Sequence, residues 1–165
     1  MDKLEKILSL VEEYAKENLL SKDWAKGDWI NYSGPNFNTV EYREAVKTIL
    51  EGWLVVGKKS RSFENIFPEH LGKMFGLLTN SGSSANLIMV HALTSKQSFM
   101  KKFHLPKGSK IITPVVCFPT TINPIIQAGY EPVFIDVDLP SLNLNLDKVE
   151  EILKADDSIR GIMFA

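Results

Sequence analysis

From residue 75 onward the chain alternates short apolar runs with helix-patterned segments, and this alternation limits the available folds more than any other feature. The runs "KIITPV", "PVFIDV" and "GIMFA" are β-branched or apolar without a strict in/out period, as in parallel strands covered on both faces. The pattern predicts strands at 75–79, 110–114, 133–137 and 161–164, with helices at 84–94, 121–128 and 147–154 between them. Strands separated by helices form an α/β sheet with right-handed crossovers. Gly129 follows the helix ending "IIQA" at the position where a left-handed residue closes a helix, and Asp147 with Glu150 is placed to cap the last helix. The final strand is entered at "RGIMFA" and breaks off at Ala165 without a covering element, as in the front part of a longer protein.

Ahead of residue 75 the pattern is helical. In "MDKLEKILSLVEEYAKE", Leu4, Ile7, Leu8, Val11, Tyr14 and Ala15 share one face opposite charges, which marks an amphipathic helix and excludes a signal-peptide core. "LSKDWAKGDWINYSGPNFN" reads as an ordered loop. Asn38 and Glu41 then form a capping box for a helix whose apolar face is Ala45, Val46, Ile49, Leu50 and Trp53. Gly52 and Gly57 mark its exit. A shorter helix in "SRSFENIFPEHLG" turns Phe63, Ile66 and Phe67 inward and is ended or kinked by Pro68. The chain thus divides into N-terminal helices with their loop, 1–58, and the front part of an α/β domain, 59–165.

Charge excludes one class of partner. With a net charge of −1 and Lys and Arg scattered among acids, no basic stripe exists to hold nucleic acid. No apolar stretch approaches the roughly 20 residues that span a bilayer, so a soluble, cytoplasmic protein is expected. Cys117 is the single cysteine, and His70, His91 and His104 lack zinc-ligand spacing, so no metal site is readable. His91 reads as a structural residue within an apolar helix, His70 and His104 as surface residues, and Cys117 as packing.

Two stretches carry chemistry. "NSGSSAN", residues 80–86, joins the run "FGLLT" to a helix, and in an open α/β sheet ligands bind at such strand exits. A helix starting near Ser84 offers free N–H groups and the positive end of its dipole. Gly82 lets the backbone approach an anion, and Ser83 and Ser84 add hydroxyl donors; the alternative is a serine that merely caps the helix. The segment is neither a dinucleotide fingerprint nor a Walker A loop. In the second stretch, "ITPVVCFPTTINPIIQAGYEPVFIDVD", Phe118 follows a strand where an aromatic ring either packs on a flat ligand or fills the core beside Ile122.

"TNSGSSANL" followed about 30 residues later by that second stretch resembles the sugar aminotransferase family of the DegT/DnrJ/EryC1/StrS type. The resemblance covers roughly residues 30–165, including "EGWLVVGKKSRSFENIF". It implies the N-terminal part of the pyridoxal phosphate-dependent transferase fold type I large domain, a mostly parallel sheet with helices on both faces. It further implies that backbone amides at Ser83 and Ser84 hold the phosphate of pyridoxal phosphate or pyridoxamine phosphate, that Phe118 stacks on the pyridine ring, and that Thr121 lies near the cofactor. For Thr121 the alternative is helix capping.

Within the family the motifs are most similar to those of the CDP-4-keto-6-deoxyglucose 3-dehydrases, including the lipopolysaccharide-biosynthesis type. That likeness implies a pyridoxamine phosphate-dependent loss of the C3 hydroxyl from a nucleotide-linked 4-keto sugar, with histidine replacing the usual lysine base. An aminotransferase acting on a nucleotide-linked keto sugar is the alternative within the family; a non-catalytic domain binding a phosphorylated ligand is the alternative outside it. One member type draws electrons from a partner reductase through an iron–sulfur cluster. The base, the aspartate that pairs with the pyridine nitrogen and any cluster cysteines are expected after Ala165. Asp136 and Asp138 read as strand-end capping and loop closure. The family likeness also implies a homodimer with shared active sites, with the loop from Trp24 to Phe37 either against the partner or over its own domain.

Overall fold

The computed structural model describes residues 2–20, 25–31, 33–97 and 100–165. The chain folds as two compact units, Met1–Gly76 and Leu77–Ala165.

The first unit is helical: α1 (Lys3–Asn18), α2 (Thr39–Leu50) and α3 (Lys58–His70). Leu8 and Ala15 of α1 are buried, and Arg43 on α2 reaches Glu5 at 2.7 Å and Glu12 at 3.4 Å on α1. The two acids lie on one face of α1, seven residues apart, so one guanidinium ties two turns of it to α2. The capping box at α2 is present: Asn38 Oδ1 accepts from the Val40 N–H and Glu41 Oε2 from the Asn38 N–H, each at 2.7 Å. Pro68 sits in the last turn of α3, which ends two residues later. Phe63, Ile66 and Phe67 are exposed instead of inward-facing, as are Ile49, Leu50 and Trp53. Phe63 and Phe67 stack on one another, their centroids 4.8 Å apart; helical spacing brought the rings to one side, but both remain about half exposed among the described residues. Trp24 and Tyr32 lie outside the described residues, and in the same loop Trp29 and Ile30 are exposed.

The second unit contains α4 (Gly82–Ala92), β1 (Lys110–Pro114), α5 (Pro119–Gln127), β2 (Glu131–Ile135), α6 (Leu146–Ala155) and β3 (Ile159–Ile162). The strands form one parallel sheet in the order β2-β1-β3. Alternation along the central strand divides the core. Ile111 packs with Val90, Ile125, Ala128, Tyr130 and Met163 on one face, and Ile112 with Ile135, Val149 and Ile159 on the other. Helices α4 and α5 therefore cover one face and α6 the opposite one, as an all-parallel sheet requires.

Two expectations are corrected. Residues 75–79 form no strand: a strand exists through its ladder, and the apolar pattern of "FGLLT" carries β propensity without supplying a neighbour. The last helix is capped by Asn145, whose Oδ1 accepts from the Lys148 N–H at 2.8 Å, while Asp147 stands in the first turn. Gly129 does close α5, with φ +80°. Thr113 of β1 is fully buried with its hydroxyl unpartnered among the described residues.

Candidate functional site

At the carboxyl end of β1 the starts of α4 and α5 meet. Ser81 is the N-cap of α4, two residues earlier than a helix beginning at Ser84 would require. Its Oγ accepts from the Ser84 N–H and donates to Ser84 Oγ, both at 3.2 Å, and the Ala85 N–H bonds to the Ser81 carbonyl. The serine that caps is thus Ser81, which leaves Gly82 and Ser83 in the first turn. Their N–H groups have no acceptor among the described residues.

The second residue of each helix touches the other. Ser83 Oγ lies 3.2 Å from Thr120 Oγ1, and Asn86, one turn into α4, donates from Nδ2 to the Thr120 carbonyl at 3.2 Å. Neither helix has an acidic residue in its first turn, in contrast to α1, α2 and α6. Two positive dipole ends are therefore brought together with no carboxylate in the first turn of either helix to answer them, an arrangement suited to an anion. A Cβ built on Gly82 meets nothing within 4 Å, so the bare backbone there is open to a ligand.

Phe118 is the N-cap of α5, two residues before Thr120, and is 63% exposed; it does not fill the core beside Ile122. Thr121 is not the N-cap. It is the third helical residue, 2% exposed, and its N–H bonds back to the Phe118 carbonyl. The hydroxyl reaching α4 belongs to its neighbour Thr120. Thr120, Asn86 and Ser81 were absent from the sequence-based set. Ser81 was legible as the only hydroxyl three residues ahead of Ser84; Thr120 and Asn86 needed the packing of the two helices.

The remaining candidates lie elsewhere. Asp136 Oδ1 accepts from the Val137 N–H and Asp138 Oδ1 from Asn145 Nδ2 at 2.6 Å, both within the loop that leads to α6. Cys117 is half-buried and free. His70 and His91 are exposed, so His91 is no core residue, and His104 is half-buried with its Nδ1 unpartnered among the described residues. Among the described residues no cluster of three or more His, Cys, Asp or Glu is placed to hold a metal, and no helix is long and apolar enough to cross a membrane.

Residues 36–165 match the sequence profile of the DegT/DnrJ/EryC1/StrS aminotransferase family. This chain belongs to that family. The chain is 40% identical over 162 residues to the lipopolysaccharide biosynthesis protein RfbH of Salmonella typhimurium, covering 98% of this chain and 36% of that protein. It is 35% identical over 164 residues to the dTDP-4-dehydro-2,6-dideoxy-D-glucose 3-dehydratase of Saccharopolyspora spinosa, covering 99% of this chain and 35% of that one. Its fold is similar to that of E. coli GDP-4-keto-6-deoxy-D-mannose-3-dehydratase with bound hydrated pyridoxal phosphate, at a TM-score of 0.67 and 32% identity over 82% of this chain and 34% of the other. The chain thus spans about a third of the length of these DegT/DnrJ/EryC1/StrS-like relatives. Its second unit, a three-stranded parallel sheet between helices, shares the α/β fold of these aminotransferase-type relatives.

Proposed function

We propose that the meeting point of α4 and α5 is the phosphate end of a pyridoxal or pyridoxamine phosphate site. The observation that carries this reading is the pair of unpartnered N–H groups on Gly82 and Ser83 beside Thr120, with the Phe118 ring exposed two residues away. The donor set suits a phosphate: backbone amides at a helix start, the Ser83 and Ser84 hydroxyls, and no carboxylate in the first turn of α4 or α5 to repel it. Phe118 offers a face for a heteroaromatic ring, and buried Thr121 supports the turn from beneath. The group supplies an electron sink for substrate bonds broken next to its point of attachment. This chain's residues anchor, orient and screen it.

The activity proposed for the whole protein is removal of the C3 hydroxyl from a nucleotide-linked 4-keto-6-deoxyhexose in deoxysugar biosynthesis. Dehydration is favoured over amino transfer because the strong matches named above extend across the first 35 residues, outside the family profile, and include a 3-dehydratase. The relatives' names carry dTDP and GDP sugars; CDP, the nucleotide implied by the motif resemblance, is one of three to assay. A homodimer, a cytoplasmic location, and an iron–sulfur cluster served by an electron-donating reductase belong to the same proposal for the whole protein.

Titrating the chain with pyridoxamine phosphate, inorganic phosphate and pyridoxamine, followed by cofactor fluorescence and calorimetry, tests the site. Competition between the first two, with pyridoxamine much weaker, is expected. Equal affinity for any small phosphate ester, with no preference for the pyridine ring, favours the non-catalytic phosphate-binding reading. For the whole protein, product analysis by mass decides the chemistry: loss of water marks the dehydratase, and nitrogen gained from an amino donor marks the aminotransferase.

A further inference from the structure

A helix carbonyl at position i is normally taken by the N–H of residue i+4. For Thr120 that residue is Pro124, which lies inside α5 and has no N–H. The Thr120 carbonyl is therefore left without its helical donor, and the proline ring crowds it from below. Asn86 fills the gap from another helix, its Nδ2 donating to the Thr120 oxygen at 3.2 Å. Pro124 is buried and both Asn86 and Thr120 are half-buried, so water is a poor substitute for the missing donor.

We infer that Asn86 is a positioning residue of the cofactor site, acting through Thr120. Pro124 frees a carbonyl at the start of α5, and Asn86 uses it to latch α5 to α4, fixing Phe118 and the Thr120 hydroxyl relative to the Gly82 and Ser83 amides. This inference rests on the cofactor reading above. Asn86 touches no ligand in this scheme: the Gly82 and Ser83 amides sit a turn away on the same helix, so anion binding by α4 alone survives its loss. What is lost is the alignment of the ring platform with the phosphate cradle.

The geometry makes the two positions interdependent, which a double-mutant cycle reads directly. The experiment uses the full chain and three variants, Asn86→Asp, Asn86→Ala and Asn86→Ala with Pro124→Ala, alongside Pro124→Ala alone. Each is titrated with pyridoxamine phosphate and with inorganic phosphate. Asn86→Asp keeps the shape but turns the donor into an acceptor facing a carbonyl. Asn86→Ala is expected to weaken pyridoxamine phosphate about tenfold, in the range of an unsatisfied acceptor, while inorganic phosphate changes less than about twofold; Asn86→Asp, whose carboxylate also repels an anion one turn away, is expected to weaken both ligands, pyridoxamine phosphate the more. In the Pro124→Ala background, where an N–H is restored, Asn86→Ala is expected to cost less than about threefold.

Equal losses for both ligands in Asn86→Ala would reduce Asn86 to a general structural residue and overturn the inference. So would wild-type affinity for pyridoxamine phosphate in Asn86→Asp, or an unchanged penalty for Asn86→Ala in the Pro124→Ala background. A wild-type chain that takes up no pyridoxamine phosphate overturns the cofactor reading and this role with it, whereas the preceding outcomes remove this role alone.

Discussion

Ser83 Oγ and Thr120 Oγ1 stand 3.2 Å apart, each on the second residue of its helix. A contact between two helix starts leaves both dipoles directed at the same region, and protein stability alone would favour an acid there. Its absence is the feature that separates an anion site from a capped turn.

Ser83→Asp is therefore expected to act in opposite directions on fold and ligand. A carboxylate in the first turn stabilises α4 by about 0.3–1 kcal/mol, while phosphate and pyridoxamine phosphate binding is abolished. Thermal unfolding and calorimetric titration of the same sample check this; retained phosphate binding would show that the anion sits elsewhere.

Phe118→Ala removes an exposed ring and is expected to leave the melting temperature unchanged. Affinity for pyridoxamine phosphate should fall roughly 2- to 12-fold, the value of an aromatic pair, with inorganic phosphate unaffected. A drop in melting temperature without a change in affinity would return the ring to a packing role.

Stability of the second unit should depend on pH through Lys110 and Asp156, which pair at 2.7 Å. The hydrogen bond from Lys110, then those from the Ser158 hydroxyl and N–H, hold the Asp156 carboxyl well below its ordinary range, and the same bond raises Lys110. The unfolded chain binds the extra proton as pH falls below about 4, the ordinary Asp value. The Asp156 contribution is thus full above that value and fades in acid; that of Lys110 is full below about pH 10 and is lost above it. Both groups are about a third exposed, so salt should weaken the effect. In Asp156→Asn, the acid limb of a denaturation midpoint against pH is expected to be flatter, and an unchanged limb would assign it to other carboxylates.

Asn38→Ala removes the side-chain half of the α2 capping box, the bond accepted from the Val40 N–H, and leaves the backbone N–H that donates to Glu41 in place; it is expected to cost about 1 kcal/mol. Chemical denaturation followed by far-UV circular dichroism reads this, with Asn38→Ser close to wild type.

Thr113→Val replaces a buried, unpartnered hydroxyl with a methyl group of similar size. Removing an unsatisfied polar group is worth about 1–3 kcal/mol, so the variant is expected to be the more stable. A destabilised variant would mean that the hydroxyl has a partner in solution.

The sheet was legible in the sequence because β-branched runs between helix patterns have few alternatives: β1 matches its expected span, and β2 and β3 begin two residues early. "FGLLT" misled for the converse reason, since strand propensity is local and pairing is not. The site was half legible. Gly82, Ser83 and Phe118 could be singled out by residue type as candidates, but which serine caps α4 stayed open because four small polar residues in "NSGSS" compete for one role. Thr120 was overlooked beside Thr121 because only packing decides which hydroxyl faces outward. The signal for Asn86 was present as a proline four residues after a site residue, yet its partner lies on another helix.

Pro124 also sets a direction on sequence change. A lineage that loses the proline first regains the helical N–H at Thr120, after which position 86 is free to drift to an apolar residue. A lineage that loses Asn86 first strands a half-buried carbonyl and bears the cost of an unmade hydrogen bond. The two substitutions reach the same end point, but selection is expected to permit only one order.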